Sequence, residues 1–250
     1  MINLKQKLKK NQLSIGSWIT IGDPIVAEIM SRHFDWLVID MEHSAITLDK
    51  AQDLLRIIAL QGCKPLVRLR ENNSHIIKQV MDAGAHGIIV PMVNSMDDAM
   101  KAYNSVHYPP TGIRGVGLAR AQDYGFGFEK YKQWLKREAI VIAQIEHING
   151  VKHLPEILKT PIDGIIIGPY DLSASLGVPG DFENLYYKEA LTRILNVAKD
   201  HNKPVGIHVI PPYAKDVASL DPQYKFVAFS LDTMFFGSKI RDELDGIKEL

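Results

Sequence analysis

Residues able to do chemistry recur at one kind of place in this chain, the end of a short apolar run. Asp40 ends WLVID, and Glu42 and His43 lie in the loop after it. Arg68 stands near the end of KPLVRL, Gln144 and Glu146 close and follow AQI, and Asp171 follows GIIIG. Glu146 and Asp171 are hard oxygen donors, suited to a divalent cation that keeps positions open for water and substrate. Arg68 could hold a developing enolate or carboxylate oxygen. Histidine is the side-chain type suited to proton exchange near neutrality, so His43 is the natural proton shuttle, with Asp82 or Asp40 available to orient it. The segment from Gly168 to Ser173 opens a short helix around Tyr170 and Asp171, and its free backbone N–H groups could receive a substrate carboxylate. Cation, anion holder and base together fit proton removal or carbon–carbon cleavage next to a carbonyl.

Singly, each of these residues is as readily an exposed or salt-bridged structural group. Their shared position is what carries the reading, and that position is set by the elements between them. Strand patterns occur at Ser14–Thr20, Trp36–Asp40, Lys64–Leu69, Gly87–Met92, Ile140–Ile145, Gly164–Gly168, Val205–Val209 and Phe226–Leu231. Runs this short, apolar and β-branched suit parallel strands covered on both faces. Helical patterns alternate with them: Leu4–Asn11, Pro24–His33 capped by Asp23, a helix starting at Thr47 or Asp49 and ending at Gly62, Asn73–Ala83 stopped by Gly84, and Ser95–Val106. Further helices are expected over Glu183–His201 and from Phe235 to about Leu244. Tyr108–Phe128, rich in Gly, Pro and aromatics, reads as one long irregular loop, and loops of that length are usually functional. Eight strand patterns alternating with helices predict an α/β fold, a (β/α)8 TIM barrel in a single domain over 1–250. In such a barrel all the strand ends open on one face, where several strands together assemble a site. An open doubly wound sheet is the alternative; no Gly-rich dinucleotide fingerprint follows any strand.

Composition narrows the function classes. With 46% hydrophobic and 23% charged residues, the chain has the make-up of a soluble globular enzyme. Formal net charge is +0, which gives no electrostatic reason to expect nucleic acid or an anionic membrane as partner. Lys5, Lys7, Lys9 and Lys10 read as the solvated face of the first helix. Cys63 is the single cysteine, so no internal disulfide can form. No secretory apolar region follows Met1 and no run is long enough for a membrane span, so a cytoplasmic location is expected.

Several chemistries are disfavoured by what surrounds the candidates. A Schiff-base aldolase needs a lysine at a strand end, whereas Lys64 precedes its strand and Lys159 follows a helix. The last two strand ends read HVIPPY and LDTMFF, without the glycines of a phosphate grip. GIRGVG has the wrong order for a nucleotide loop. His33, His75, His86, His107, His147, His153 and His201 lack metal-ligand spacing. Trp36 and Trp134 read as packing residues; Trp18 does too, although its place near a strand end adds it to the substrate-side candidates.

The strings VIDMEHS, PLVRLRENN, QVMDAGAHGIIVPMV, YPPTGIRGVG, AQIEHINGV and GIIIGPYDLSASLG resemble, in order and from Gly16 to about Leu231, the HpcH/HpaI aldolases, the metal-dependent class II pyruvate aldolases. The resemblance implies an aldehyde-lyase cleaving a 4-hydroxy-2-oxo acid, such as 4-hydroxy-2-oxoheptanedioate, 2-dehydro-3-deoxyglucarate or 2-keto-3-deoxyrhamnonate, to pyruvate and an aldehyde. It implies that Glu146 and Asp171 bind Mg²⁺, Mn²⁺ or Co²⁺, and that pyruvate chelates the ion. Arg68, held by Asp40, would stabilise the enolate; His43, paired with Asp82, would be the acid/base; Gln144 and the amides near Tyr170 and Asp171 would touch pyruvate. It further implies that Asp82 comes from a neighbouring subunit and that the C-terminal helix swaps between subunits of a homo-oligomer, a trimer or a hexamer built as a dimer of trimers.

The chain departs from that pattern on the aldehyde side. His208 in GIHVIPP stands where an apolar residue is implied, Met41 replaces a small residue, and the loop after Arg120 is unusually aromatic. A citrate-synthase-like or acyl-CoA-linked condensing enzyme, or a non-catalytic barrel scaffold, are the alternatives; nothing in the chain resembles a CoA-binding element.

Overall fold

In a computed structural model, which describes residues 3–248, the chain forms a closed barrel of eight parallel strands in sequential order. The strands are β1 (Ser14–Ile19), β2 (Trp36–Asp40), β3 (Lys64–Arg68), β4 (Gly87–Val90), β5 (Ile140–Ile145), β6 (Gly164–Ile167), β7 (Val205–Val209) and β8 (Tyr224–Leu231). Pairing of β1 with β8 closes the barrel. The expected (β/α)8 architecture is therefore present, and residues 1, 2, 249 and 250 of the expected domain lie outside the described part.

Side chains alternate across each strand, and that alternation sorts the core. Val38, Leu66, Ile142, Ile166 and Phe226 fill the barrel interior, while Leu37, Ile39, Val67 and Val141 face the helices outside. Near the lower end Trp36 stacks on Phe226 with ring centroids 4.0 Å apart. That stack needs Gly16 opposite it, because a Cβ there would meet the Trp36 ring at 2.0 Å. The lower end is thus plugged with side chains, and the interior opens only at the carboxyl ends of the strands.

Local signals account for most helix ends. Asp23 accepts a hydrogen bond from Ile25 N–H with Pro24 in the first turn, Asn73 caps Ser74–Ala83, and Gly84 (φ 103°) ends that helix. Ser95 caps Met96–Val106 as its sequence predicts. Three expectations are corrected. Tyr108–Phe128 is not irregular throughout: Arg120–Gly125 forms a 3-10 segment with Asp123 and Tyr124 left-handed, and an unpredicted helix, Phe128–Glu138, follows. The C-terminal helix starts at Asp232, directly at the end of β8, and runs to Lys248; Asp232 is buried and its carboxylate accepts from the N–H groups of Thr20, Ile21 and Thr233, tying the helix start to the loop after β1. Lys5 is not solvated. Leu4 and Leu8 pack into the barrel floor and carry Lys5 inward, where its Nζ lies 2.7 Å from Ala139 O and 3.1 Å from Asp163. Lys9 and Lys10 stay exposed.

Candidate active site

The same alternation that buries Val38 and Leu66 points the next inward residues, Asp40 and Arg68, into the open end of the barrel. Trp18, Gln144 and His208 arrive by the same two-residue step from Gly16, Ile142 and Gly206. Trp18, His43, Arg68, Gln144, Tyr170, Asp171 and His208 line one cavity of about 340 Å³. These seven residues, all singled out from the sequence, thus share one space.

Asp40 and Arg68 are register partners at the ends of β2 and β3. Arg68 Nε donates to Asp40 Oδ1 at 2.9 Å and Nη2 to Oδ2 at 2.6 Å, a two-pronged pair. Asp40 Oδ1 also accepts from the N–H of Glu42 (3.0 Å) and of His43 (3.3 Å), which turns the chain sharply after β2. Ser44 Oγ closes the turn onto Asp40 O, and Arg70 holds it from outside through Met41 O and Ile46 O. One carboxylate therefore fixes both the guanidinium and the loop that carries His43. Arg68 also lies over the Trp18 ring, 4.4 Å from its centroid. Burial works against its charge, but the bonds from Asp40 and the charges of Asp40, Glu42 and Glu146 prevail and hold its pKa above the ordinary value.

Glu146 sits just behind the cavity wall, 3% exposed. Its Oε1 accepts from Met92 N–H at 2.6 Å and its Oε2 from Gln144 Nε2. Met92 offers that N–H from a left-handed conformation (φ 53°) that sequence reading missed; it also ends β4 at Val90, short of the expected Met92. Burial first, and then Glu42 and Asp171, push the Glu146 pKa up to about 7. Burial likewise raises Glu42 to about 6, with Asp40 and Asp171 adding to the rise and Arg68 opposing it. Glu42 Oε2 is 3.4 Å from Arg68 Nη1 yet has no hydrogen bond, and Gln144 Oε1 is buried without a partner.

These observations fit a divalent cation. Glu42 and Glu146, near one arginine and within the electrostatic influence of Asp171, are both forced toward protonation, and oxygen lone pairs on Glu42 and Gln144 stand unused. Gly168 leaves room for them, since a Cβ there would meet Glu146 Oε2 at 2.8 Å and Gln144 Nε2 at 3.0 Å. Among the described residues no set of three or more His, Cys, Asp or Glu is grouped to enclose a metal. A cation held here would complete its shell with water and substrate, as an open catalytic site requires.

Asp82 is the predicted residue that this chain does not bring to the cavity. It lies at the end of the helix Ser74–Ala83, where Oδ1 accepts from Arg114 Nη2 (2.6 Å) and Gln122 Nε2 (3.2 Å). Arg114 is fully buried between Tyr108 and Tyr131, so the GIRGVG segment is the anchor of the long loop. Nothing in the spacing pointed to that pairing, because the partners are far apart in sequence and meet only once helices stand side by side.

A family model described as HpcH/HpaI aldolase/citrate lyase matches residues 14–236. A 2-keto-3-deoxy-L-rhamnonate aldolase of Shigella dysenteriae serotype 1 (strain Sd197) is 33% identical over 246 residues, covering 96% of this chain and 91% of that protein. A hydroxypyruvate/pyruvate aldolase of Paraburkholderia phytofirmans is 33% identical over 258 residues, covering 98% and 97%. The crystal structure of an HpcH/HpaI aldolase/citrate lyase family protein from Burkholderia cenocepacia J2315 superposes with a TM-score of 0.91 at 31% identity, covering 98% of each chain.

Proposed function

The chain belongs to the HpcH/HpaI aldolase/citrate lyase family, and from that premise we propose a divalent-metal-dependent lyase that cleaves a 4-hydroxy-2-oxo acid reversibly to pyruvate and an aldehyde. That the protein is an aldolase follows from relatives one-third identical over nearly its whole length. The metal, the substrate and the residue roles are our reading of the site.

The observation that carries the reading is the Asp40–Arg68 pair beside Gln144 and the buried Glu146. In the cleavage direction the 4-hydroxyl loses its proton and the C3–C4 bond breaks. The aldehyde departs, and the electron pair passes into an enolate that takes a proton at C3 to become pyruvate. Arg68 faces the oxygen on which that negative charge develops; already rigid, it needs no reorganisation at the moment of reaction. His43, 63% exposed in its side chain and lining the cavity, is the group free to exchange the hydroxyl proton with water. Gln144 and the amides at Tyr170 and Asp171 orient the keto acid. Glu146 and Asp171 would hold Mg²⁺, Mn²⁺ or Co²⁺, which would supply Lewis-acid polarisation of the keto acid.

We also infer a homo-oligomer in the cytoplasm. Phe236, Ile240, Leu244 and Ile247 form an exposed stripe along the C-terminal helix, a pattern suited to packing on a neighbouring subunit, and the partly exposed Asp82 would face a neighbour's cavity. Among the described residues no helix is long and apolar enough to cross a membrane. A condensing enzyme ranks lower, because the two relatives at 33% identity are both aldolases by name.

The test is pyruvate release from a panel of 4-hydroxy-2-oxo acids before and after chelation. Release that depends on added divalent metal supports the reading; no release from any such acid, with metal present, rejects it.

A further inference from the structure

His208 sits on the wall of the cavity at the last inward position of β7, and its surroundings determine its protonation. Its Nε2 lies 3.2 Å from the carbonyl oxygen of Ser230. A carbonyl oxygen only accepts, so Nε2 carries the hydrogen and Nδ1 is left with a lone pair. Ser230 is built to present that oxygen. It is fully buried and left-handed (φ 53°), in the stretch of β8 where pairing with β1 slips by a residue between Gly16 and Trp18. Its carbonyl is held from the other side by Ser17 Oγ at 3.1 Å, and its own Oγ is anchored on Ile210 O at 2.8 Å. Such a bulge costs backbone energy and re-aims groups next to active sites. Burial also keeps the imidazole neutral, lowering its pKa to about 4.

The Nδ1 of His208 has no hydrogen-bond partner among the described residues, and the same wall holds an unmatched donor. Trp18, 3% exposed, packs against His208 with ring centroids 5.2 Å apart, and its indole N–H is buried without an acceptor. The rest of this wall is Ile210, Leu231, Thr233 and Met234, with no cation among them. Arg68, which lies over the Trp18 ring and is paired with Asp40, lines the same cavity.

We propose that His208, fixed in its neutral Nε2–H form by the Ser230 carbonyl, binds a hydroxyl of the aldehyde partner through Nδ1, so that the enzyme selects neutral hydroxyaldehydes over apolar and carboxylated ones. A hydroxyl can donate to Nδ1, which an apolar group cannot. An ionised carboxylate has no hydrogen to give to Nδ1, and a methyl would leave that lone pair unmatched. The assignment rests on the aldolase reading above and adds the substrate class to it.

The experiment measures aldol addition of pyruvate to glycolaldehyde, acetaldehyde and succinic semialdehyde by the metal-loaded enzyme, with exchange of the pyruvate methyl protons in D2O as a separate readout. The wild-type enzyme is expected to use glycolaldehyde at least tenfold better, by kcat/KM, than succinic semialdehyde. In His208→Phe, which keeps a ring against Trp18, the glycolaldehyde-to-acetaldehyde ratio is expected to fall about tenfold, with methyl exchange within about twofold of wild type; His208→Leu should agree. An unchanged ratio in either variant, or a wild-type preference for the semialdehyde, overturns the role of His208. Loss of exchange with an unchanged ratio also overturns it and leaves His208 a packing residue. Absence of methyl exchange in the wild type would instead overturn the aldolase reading itself, so the two failures are distinct.

Discussion

Asp40 and Arg68, 28 residues apart in the chain, are register partners on β2 and β3 and meet in two parallel hydrogen bonds of 2.9 and 2.6 Å. The same carboxylate turns the loop that carries His43. Arg68 and His43, to which we assign the anion-holding and proton-shuttling roles, are thus positioned by one buried group.

Arg68→Ala should lower kcat for cleavage by about 10²–10³-fold, the value of a preorganised oxyanion donor. Arg68→Lys should recover little of it, since an ammonium cannot reproduce the planar two-pronged pair. Steady-state kinetics on pyruvate release check this. A raised KM with kcat retained would mean that Arg68 only binds substrate.

Glu146→Gln should abolish turnover and stabilise the metal-free protein. The Glu146 pKa is raised from 4.5 to about 7 in the folded state, by burial first. The folded state therefore holds this proton more tightly than the unfolded chain does. Stability is fully present below about pH 4.5 and is lost as pH rises through about 7. Removing the charge should gain on the order of 2 kcal/mol at pH 8. Gln144, whose Oε1 lacks a partner, can rotate to accept from the new amide. Denaturant melts at pH 5 and pH 8 in the presence of EDTA measure it; a gain of equal size at both pH values would contradict the assigned cause.

The pattern of strand ends explains how much was legible beforehand. Asp40, Arg68, Gln144 and Trp18 were readable because inward residues recur every second position, so a polar residue closing an apolar strand has to face the barrel mouth. Lys5 was misread because its burial depends on which side of a six-residue helix meets the barrel floor. The Met92 N–H, the Ser230 bulge and the Asp82–Arg114 pair left no mark in the sequence. Each depends on a backbone conformation or on a neighbour distant in the chain, neither of which has a fixed spacing.

Metal affinity should weaken as pH falls. Glu146 titrates at about 7 and Glu42 at about 6 in the metal-free site, so protons compete with the cation across that range. Titration calorimetry with Mn²⁺ is expected to give a dissociation constant rising about tenfold per unit below pH 7, with protons released on binding. An affinity flat from pH 5.5 to 8 would show that Glu146 is not a ligand.

Asp82 belongs functionally to a neighbour's cavity on our reading, because its own chain turns it to Arg114 and Gln122. His43→Ala and Asp82→Ala should each be inactive as homo-oligomers, and mixed oligomers of the two should regain a measurable fraction of activity. Subunits carrying different affinity tags, recovered together through both tags, identify the mixed species. No recovery in mixtures that demonstrably co-assemble would assign both residues to one subunit.

The measurement closest to the central claim is exchange of the pyruvate methyl protons in D2O, followed by NMR without any aldehyde present. Exchange should vanish on chelation, return when Mg²⁺, Mn²⁺ or Co²⁺ is restored, and stay absent in Glu146→Gln at every metal concentration. Exchange that continues at full rate in excess EDTA would contradict the account.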